Sequence, residues 1–379
     1  DPFVGKLTYF RVYAGAITSD SRIYNSNRTT EERVGQLYSI RGKEQTPVER
    51  VQAGDIGAVA KLSVTTTGDT LCDRGHPLVL PGIEFPKPVF SAAIFPKTKA
   101  DLDKMSSGLN RLVEEDPTLR VSRETDTNET ILAGMGESHV EIAARRLQAK
   151  FGVEITTDVP KIPYLETITK TASAQGRHKK QTGGRGQFGD VYVRFEPLPR
   201  GAGFEFADEV FGGAVPKNFI PAVEKGLREA IQKGVVAGYP TVDIKAALYD
   251  GSYHPVDSSE IAFKLAAHLA FEKGVAEAGP VLLEPVMTVT VYVPDQFMGD
   301  VTGDLNHRRG RIQTVDSSDG LQIIRAQVPQ AEVFKYASEL RSMTGGRGTF
   351  EMEFSHYEQV PAQLTQRVAA EVAAAKKEG

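Results

Sequence analysis

Hydrophobic and polar positions change period along the chain. From residue 1 to 84 the β-rich runs are short: LTYFRVYAG (Leu7 to Gly15), VERVQAGDIGAVAKL (Val48 to Leu62) and TGDTLCD (Thr67 to Asp73). Gly and Asp break them and no helical period intervenes, which predicts a small β-barrel. Pro81, Pro86 and Pro88 then mark a linker. Over 88–158 the period alternates. A strand (Val89 to Phe95) precedes a helical stripe of Leu102, Met105, Leu109 and Leu112, which Asp116-Pro117 ends. Two strands (Leu119 to Ser122, Thr130 to Ala133), a second stripe (Val140, Ala143, Ala144, Leu147, Phe151) and a last strand (Val153 to Thr156) complete a β-α-β-β-α-β, ferredoxin-like order.

The same order recurs at 285–357. Strands are predicted at Val286 to Val293, Arg311 to Asp316, Leu321 to Val328 and Thr349 to Phe354. Helices are predicted around Val301 and Leu305, stopped by Gly310, and around Phe334, Ala337, Leu340 and Met343. The copies share order and little residue identity, and the unrelated unit between them excludes a solenoid. That unit, 160–281, reads as a long strand, a Gly-rich loop, a strand (Val191 to Pro197), a short strand and a helix (Ile220, Val223, Leu227, Ile231). A strand (Thr241 to Tyr249), a loop and a helix (Ile261, Leu265, Leu269) follow, with Asp257 and Glu260 expected as the last helix's capping box. From Pro361 a final helix runs to a Lys-rich end, which suits the negative end of its dipole.

Composition narrows the function classes. The 379 residues carry 45 basic and 49 acidic side chains, net −4, so any nucleic-acid binding must come from local patches. The single cysteine, Cys72, rules out an intrachain disulfide and a CxxC metal site, and fits a reducing cytoplasm. No apolar run approaches the ~18 residues of a membrane span. The N-terminal DPFVGKLTYF reads as a cut inside a larger protein. GxxxxGK[ST] does not occur; VGKL (Val4 to Leu7) lacks the upstream glycine and the Ser/Thr. Neither HExxH nor GxSxG is present, and no carboxylate pair stands out. No catalytic residue, metal or cofactor is therefore expected in this chain.

Five segments stand out. RHKKQTGGRGQFGDV (Arg177 to Val191) lies in a window with no acid between Glu166 and Asp190, where Lys170, Arg177, Lys179, Lys180 and Arg185 give +5. Glycines 183, 184, 186 and 189 would let its backbone approach a partner closely. Such a loop is either a solvated hairpin or a salt-sensitive phosphate binder. DGSYHPVDSSE (Asp250 to Glu260) displays Tyr253, His254 and Pro255, rings that could stack on unpaired bases or merely fill a β-α connection. HRRGR (His307 to Arg311) and TGGRGTF (Thr344 to Phe350) combine turn glycines with cations. In GMGESHVE (Gly134 to Glu141), Ser138 is expected to cap a helix rather than to act as a nucleophile.

Taken in order, these segments resemble the elongation factor G family of translational GTPases. FVGKLTYFRVYAG, AGDIGAVAKL and TGDTL resemble its second-domain β-barrel. PKTKADLDKMSSGLNRLVEEDPTLRV and GMGESHVEI resemble its third domain. QTGGRGQFGDV and VDIKAALYDGSYHPVDSSEIAFKLA resemble its fourth, and VLLEPVMTVTV the start of its fifth. MGDVTGDLNHRRGRI and YASELRSMTGGRGTFEMEF resemble its fifth domain. The resemblance implies a multidomain α/β (α+β) fold: a translation-factor β-barrel (1–84, its first strand truncated) and two ferredoxin-like domains (85–159 and 282–358). These flank a ribosomal-protein-S5-like α+β arm (160–281), and a C-terminal helix (359–379) follows. It implies a factor promoting GTP-dependent translocation of tRNA and mRNA on the 70S ribosome, with GTP and Mg held by a domain outside this chain, in a soluble cytoplasmic monomer. Segments 18–30 and 68–84 match loosely, leaving open a recycling or ribosome-protection paralogue, with a stand-alone RNA-binding module as the other class.

By the same resemblance the tip of the arm comprises Arg177, Lys179, Lys180, Gly183, Gly184, Arg185, Gly186 and Gln187 with Ser252, Tyr253, His254, Pro255, Asp257 and Ser259. His254 sits where the eukaryotic relative carries a modified histidine. Arg308, Arg309, Arg311 and Arg347 would form a face toward large-subunit rRNA. The two tip loops are expected to converge at one end of the 160–281 unit.

Overall fold

The structure, a computed structural model, describes residues 5–125, 127–181 and 186–378. The chain splits into two compact units: Asp1–Pro88 with Ile94–Ser122 and Leu132–Thr156, and Val89–Ala93 with Arg123–Ile131 and Thr157–Gly379.

The N-terminal part is all β. Its strands are β1 (Leu7–Arg11), β2 (Ala16–Thr18), β3 (Arg22–Asn25), β4 (Thr30–Arg33), β5 (Leu37–Arg41), β6 (Glu44–Val48), β7 (Arg50–Gln52), β8 (Ile56–Ala60) and β9 (Leu71–Cys72). They pair as three small sheets, β1-β8-β5-β6, β2-β7 and β4-β3-β9. Ile17, Val34, Leu37, Val51, Val59 and Leu62 form the apolar core between them. Part of this region is held by polar burial. The Glu32 carboxylate accepts from the backbone N–H of Ser63 (2.6 Å), Val64 (2.8 Å) and Thr65 (3.0 Å), and from the Thr65 hydroxyl. Burial pushes its pKa up, but these hydrogen bonds outweigh burial and leave it below the usual value.

The third-domain-like segment runs β10 (Phe90–Pro96), α1 (Leu102–Glu115), β11 (Arg120–Glu124), β12 (Glu129–Gly134), α2 (Glu137–Phe151) and β13 (Ile155–Asp158), with sheet order β11-β12-β10-β13. Met105, Leu109 and Leu112 of α1 and Val140, Ala143 and Leu147 of α2 are buried, as their spacing predicts. Gly108 lets the helices close: a Cβ there would stand 2.6 Å from Leu147.

The rest continues with β14 (Leu165–Ile168), β15 (Ala172–Lys180), β16 (Gln187–Pro197), β17 (Phe204–Asp208), α3 (Ile220–Ile231), β18 (Ile244–Ser252), α4 (Glu260–Glu277) and β19 (Pro280–Pro294). Next come α5 (Met298–His307), β20 (Arg311–Ser318), β21 (Leu321–Pro329), α6 (Tyr336–Thr344), β22 (Thr349–Gln359) and α7 (Ala362–Glu378). Strands β19 to β22 form the sheet β20-β21-β19-β22, which repeats the topology of β10 to β13. The expected boundary at 281/282 falls inside β19, one strand of 15 residues, and β14 pairs with its first residues (Leu165↔Leu283). The arm and the last ferredoxin-like unit are therefore joined by continuous hydrogen-bonded backbone rather than by a linker.

The arm is the sheet β15-β16-β18-β17 packed on α3 and α4. The sequence predicts α4 correctly but assigns it the wrong inner face. Ile261 is exposed, and the buried stripe is Ala262, Phe263, Ala266, Ala267, Ala270, Phe271 and Gly274. Small residues win because strands and helix approach at backbone distance. A Cβ at Gly176 of β15 would lie 1.9 Å from the Ala266 carbonyl oxygen, and one at Gly189 of β16 2.5 Å from that of Ala262. Among the described residues no helix is long and apolar enough to cross a membrane.

Candidate nucleic-acid interface

Strand register places the two loops of interest. β15 and β16 pair antiparallel as a hairpin out to Lys180↔Gln187, which sets both strand ends on one side. β18 pairs with β16 out to Asp190↔Ser252, so it ends on the same side. The chain then crosses residues 253–258 to reach the hairpin itself. Phe188 N–H donates to the Asp257 carbonyl (2.9 Å) and Ser258 Oγ donates to the Phe188 carbonyl (3.0 Å). Gly186 N–H donates to Asp257 Oδ1 (2.9 Å). At the base, buried Asp190 accepts from Gln175 Nε2 (2.8 Å) and Ser252 Oγ (2.7 Å). The basic hairpin and the His254 loop are one structure, built by backbone pairing and two carboxylates.

Two sequence expectations change here. Asp257 does not cap α4; Ser259 does, accepting from Ala262 N–H at 3.3 Å, while the Asp257 side chain bridges to the hairpin. The cap shifts because Asp257 sits two residues before the N-cap, facing Gly186. The glycines of the hairpin also serve the fold first: Gly189 admits the α4 backbone, and a Cβ at Gly186 would stand 2.9 Å from the Asp257 carboxyl carbon. Gly183, Gly184 and Arg185 lie outside the described residues.

What the tip exposes is cationic and aromatic. Arg177, Lys179, Lys180 and Gln187 are exposed on the hairpin, and Tyr253, His254 and Pro255 on the facing loop. Arg177 lies over the Phe188 ring at 5.5 Å, and the His254 ring is tilted against Phe188 with the ring centres 6.3 Å apart. His178 Nε2 lies 2.9 Å from Gln187 Oε1 across the hairpin. Phe188, His178, Asp190 and Ser258 were not singled out from the sequence. The available signal was Phe188, an aromatic between Gln187 and Gly189 at the mouth of a strand.

The four arginines of the last unit separate into two kinds. Arg308 binds Asp304 (2.7 Å), Glu339 and the Glu332 carbonyl (2.7 Å), and lies over the Tyr336 ring at 5.1 Å. Arg309 grips Glu284 through both terminal nitrogens (2.7 and 2.9 Å) and binds Glu332 (2.9 Å). The Glu284 hydrogen bond holds its pKa above the usual arginine value. The neighbouring Tyr164 hydroxyl is pushed up to about 12, first by burial and then by Glu284. These two arginines are committed to internal ion pairs, which corrects their reading as an open cationic face. Arg311 is more exposed and pairs with Glu358 at 2.5 Å; Arg347 is exposed over the Phe297 ring at 4.7 Å. The TGGRG copy at Thr344 to Gly348 is a helix stop: Gly345 takes φ 57° after α6, and Thr344 Oγ1 accepts from Gly348 N–H at 2.8 Å.

GMGESHVE is also structural, though not through Ser138, which lies inside α2; Gly136 holds the cap position. His139 Nδ1 accepts from Met135 N–H (3.1 Å), and its Nε2 stands 3.0 Å from Asp116, the residue that ends α1.

Comparison with known families covers most of the chain in sequence order. Residues 1–74 match Elongation factor G domain 2, 85–159 match Elongation Factor G, domain III, 160–279 match Elongation factor G, domain IV, and 281–368 match the Elongation factor G C-terminus. A crystal structure from Thermus thermophilus is similar at 42% identity with a TM-score of 0.82. It covers 99% of this chain, and this chain spans 56% of that one. With its barrel-like, ferredoxin-like and arm segments each matched in order, the chain belongs to the elongation factor G family.

Proposed function

We propose that this chain is the ribosome-engaging part of a factor that promotes GTP-dependent movement of tRNA and mRNA, with GTP bound and hydrolysed by a domain outside these residues. The observation that carries this reading is the junction of Asp257 with Gly186 and Phe188. It fuses a basic hairpin end and a ring-bearing loop into one exposed tip. Cations offset phosphate repulsion, and exposed rings can stack on unpaired bases. Such a tip suits insertion among rRNA, mRNA and tRNA at the decoding centre. Arg311 and Arg347 are the residues left to face large-subunit rRNA.

The test uses the full-length parent protein. Gln187→Ala and His254→Ala should slow translocation several-fold while GTP hydrolysis, performed elsewhere, stays near the parental rate. Translocation at the parental rate in both variants would refute the role of the tip.

A further inference from the structure

Among the described residues, the loop holds the imidazole of His254 by its Nδ1 end. The backbone N–H groups of Val256 and Asp257 both point at Nδ1, at 3.3 and 3.1 Å. Nδ1 can accept them only through its lone pair. A proton there would replace the acceptor with a donor facing two donors. Asp257 Oδ2 lies 3.5 Å from Nδ1, farther than either backbone donor. Meanwhile the His254 N–H donates to Ser258 Oγ (2.9 Å), and Ser258 Oγ donates to the Phe188 carbonyl. The residue whose N–H the ring accepts, Asp257, in turn binds Gly186.

We infer that His254 is a positioning residue: with its proton on Nε2, its Nδ1 staples residues 254–257 into the shape that lets Asp257 catch the hairpin. A consequence rests on the proposed function. The side chain is half exposed, and Nε2–H is then the one donor its ring has left, so a partner atom it meets on RNA is an acceptor, a phosphate oxygen or a base carbonyl or ring nitrogen. A partner that instead required an imidazolium at this position would cost the loop both Nδ1 bonds.

Two isosteric variants divide the ring's functions. In His254→Asn the side-chain oxygen can take the place of Nδ1, with nothing at Nε2. In His254→Gln the terminal amide can take the place of Nε2, with nothing at Nδ1. His254 is half exposed and outside the core, so both variants and His254→Ala should fold. Amide hydrogen exchange on the chain alone reads the staple. Protection of Val256 and Asp257 should fall about tenfold in His254→Ala and His254→Gln, the equivalent of one ordinary hydrogen bond, with faster exchange at Gly186. His254→Asn should restore it. Nitrogen NMR of the histidine-labelled chain at neutral pH should find Nδ1 unprotonated and Nε2 protonated.

The opposite tautomer, an imidazolium, or unchanged protection in His254→Ala would overturn the inference. Binding to ribosomes is a separate arm. His254→Asn should bind more weakly than the parent although its loop is intact, and His254→Asn binding as tightly as the parent would refute the outward donor. If the parent chain itself fails to bind ribosomes while the exchange and NMR results hold, the proposed function falls and the staple stands.

Discussion

Glu166 is the anchor on which the base of the arm depends, and its replacement gives a sharp stability prediction. Its side chain is fully buried. Its Oε2 accepts from Val235 N–H (2.6 Å) and Val236 N–H (2.9 Å), and its Oε1 from Ala237 (2.8 Å), Gly238 (2.9 Å) and Tyr239 (3.1 Å). Five backbone donors thus close on one carboxylate. Glu166→Gln keeps the volume but turns one oxygen into an NH2 group. In the better orientation the carbonyl stays with the three donors, and the NH2 faces the N–H groups of Val235 and Val236. Each lost charge-assisted bond costs about 1.5–3 kcal/mol. Residues 234–236 are only partly buried, so opening toward water offsets some of the loss. We expect a net destabilisation of about 3–4 kcal/mol, a large part of the ~5–15 kcal/mol that holds a domain together. The thermal midpoint of the transition that includes residues 157–379 should fall by about 6–15 °C, followed by circular dichroism or calorimetry. Amides 235–239 should lose hydrogen-exchange protection first. A midpoint within about 2 °C of the parent, or unchanged protection at 235–239, would refute the reasoning.

Other outcomes follow from the same geometry. Gly176→Ala puts a Cβ 1.9 Å from the Ala266 carbonyl oxygen, so α4 must shift; a loss of about 2–4 kcal/mol in denaturant unfolding is expected, and a neutral result would refute the close packing. Glu32 has its folded-state pKa lowered, so its stabilisation is present above the unfolded value near 4.5 and is lost as pH falls from there through the lower folded-state value. Unfolding followed from pH 7 to 3 should show the N-terminal β region weakening in acid, and Glu32→Gln should be less stable at pH 7 with a flatter acid limb. The chain alone should not bind GTP at micromolar concentrations, because the P-loop pattern is missing from its sequence; calorimetry that finds such binding would contradict this.

The helical elements were legible because α1, α2, α3 and α5 carry apolar residues at regular helical spacing over a mixed background. The ferredoxin-like order followed from them, in both copies. The strands β2 to β6 were not legible. They are three to five residues long, and two of their inward residues, Asn25 and Glu32, are polar and held by hydrogen bonds rather than by apolar packing. The inner face of α4 was misread because the close approach demanded by Gly176 and Gly189 selects alanine, which periodicity scoring undervalues beside Ile261 and Leu265. At the candidate site, composition picked out the basic hairpin and the His254 loop. What it could not supply was the bond from Gly186 to Asp257, a contact between residues 71 positions apart. Nor could it separate Arg308 and Arg309, whose partners Glu284, Glu332 and Glu339 are also distant in sequence, from a free cationic patch.

The central claim is that the fused tip engages RNA on the ribosome, and the salt dependence of ribosome binding tests it most directly. The chain is sedimented with assembled 70S ribosomes over a range of monovalent salt, beside a variant with Arg177, Lys179 and Lys180 all replaced by alanine and beside free RNA hairpins. The account predicts binding to ribosomes in preference to free hairpins. In a plot of log affinity against log salt, the parent should be steeper than the triple variant by about 2–3, close to one unit per lost phosphate contact. Equal slopes and affinities for parent and variant, or a preference for free hairpins, would contradict it.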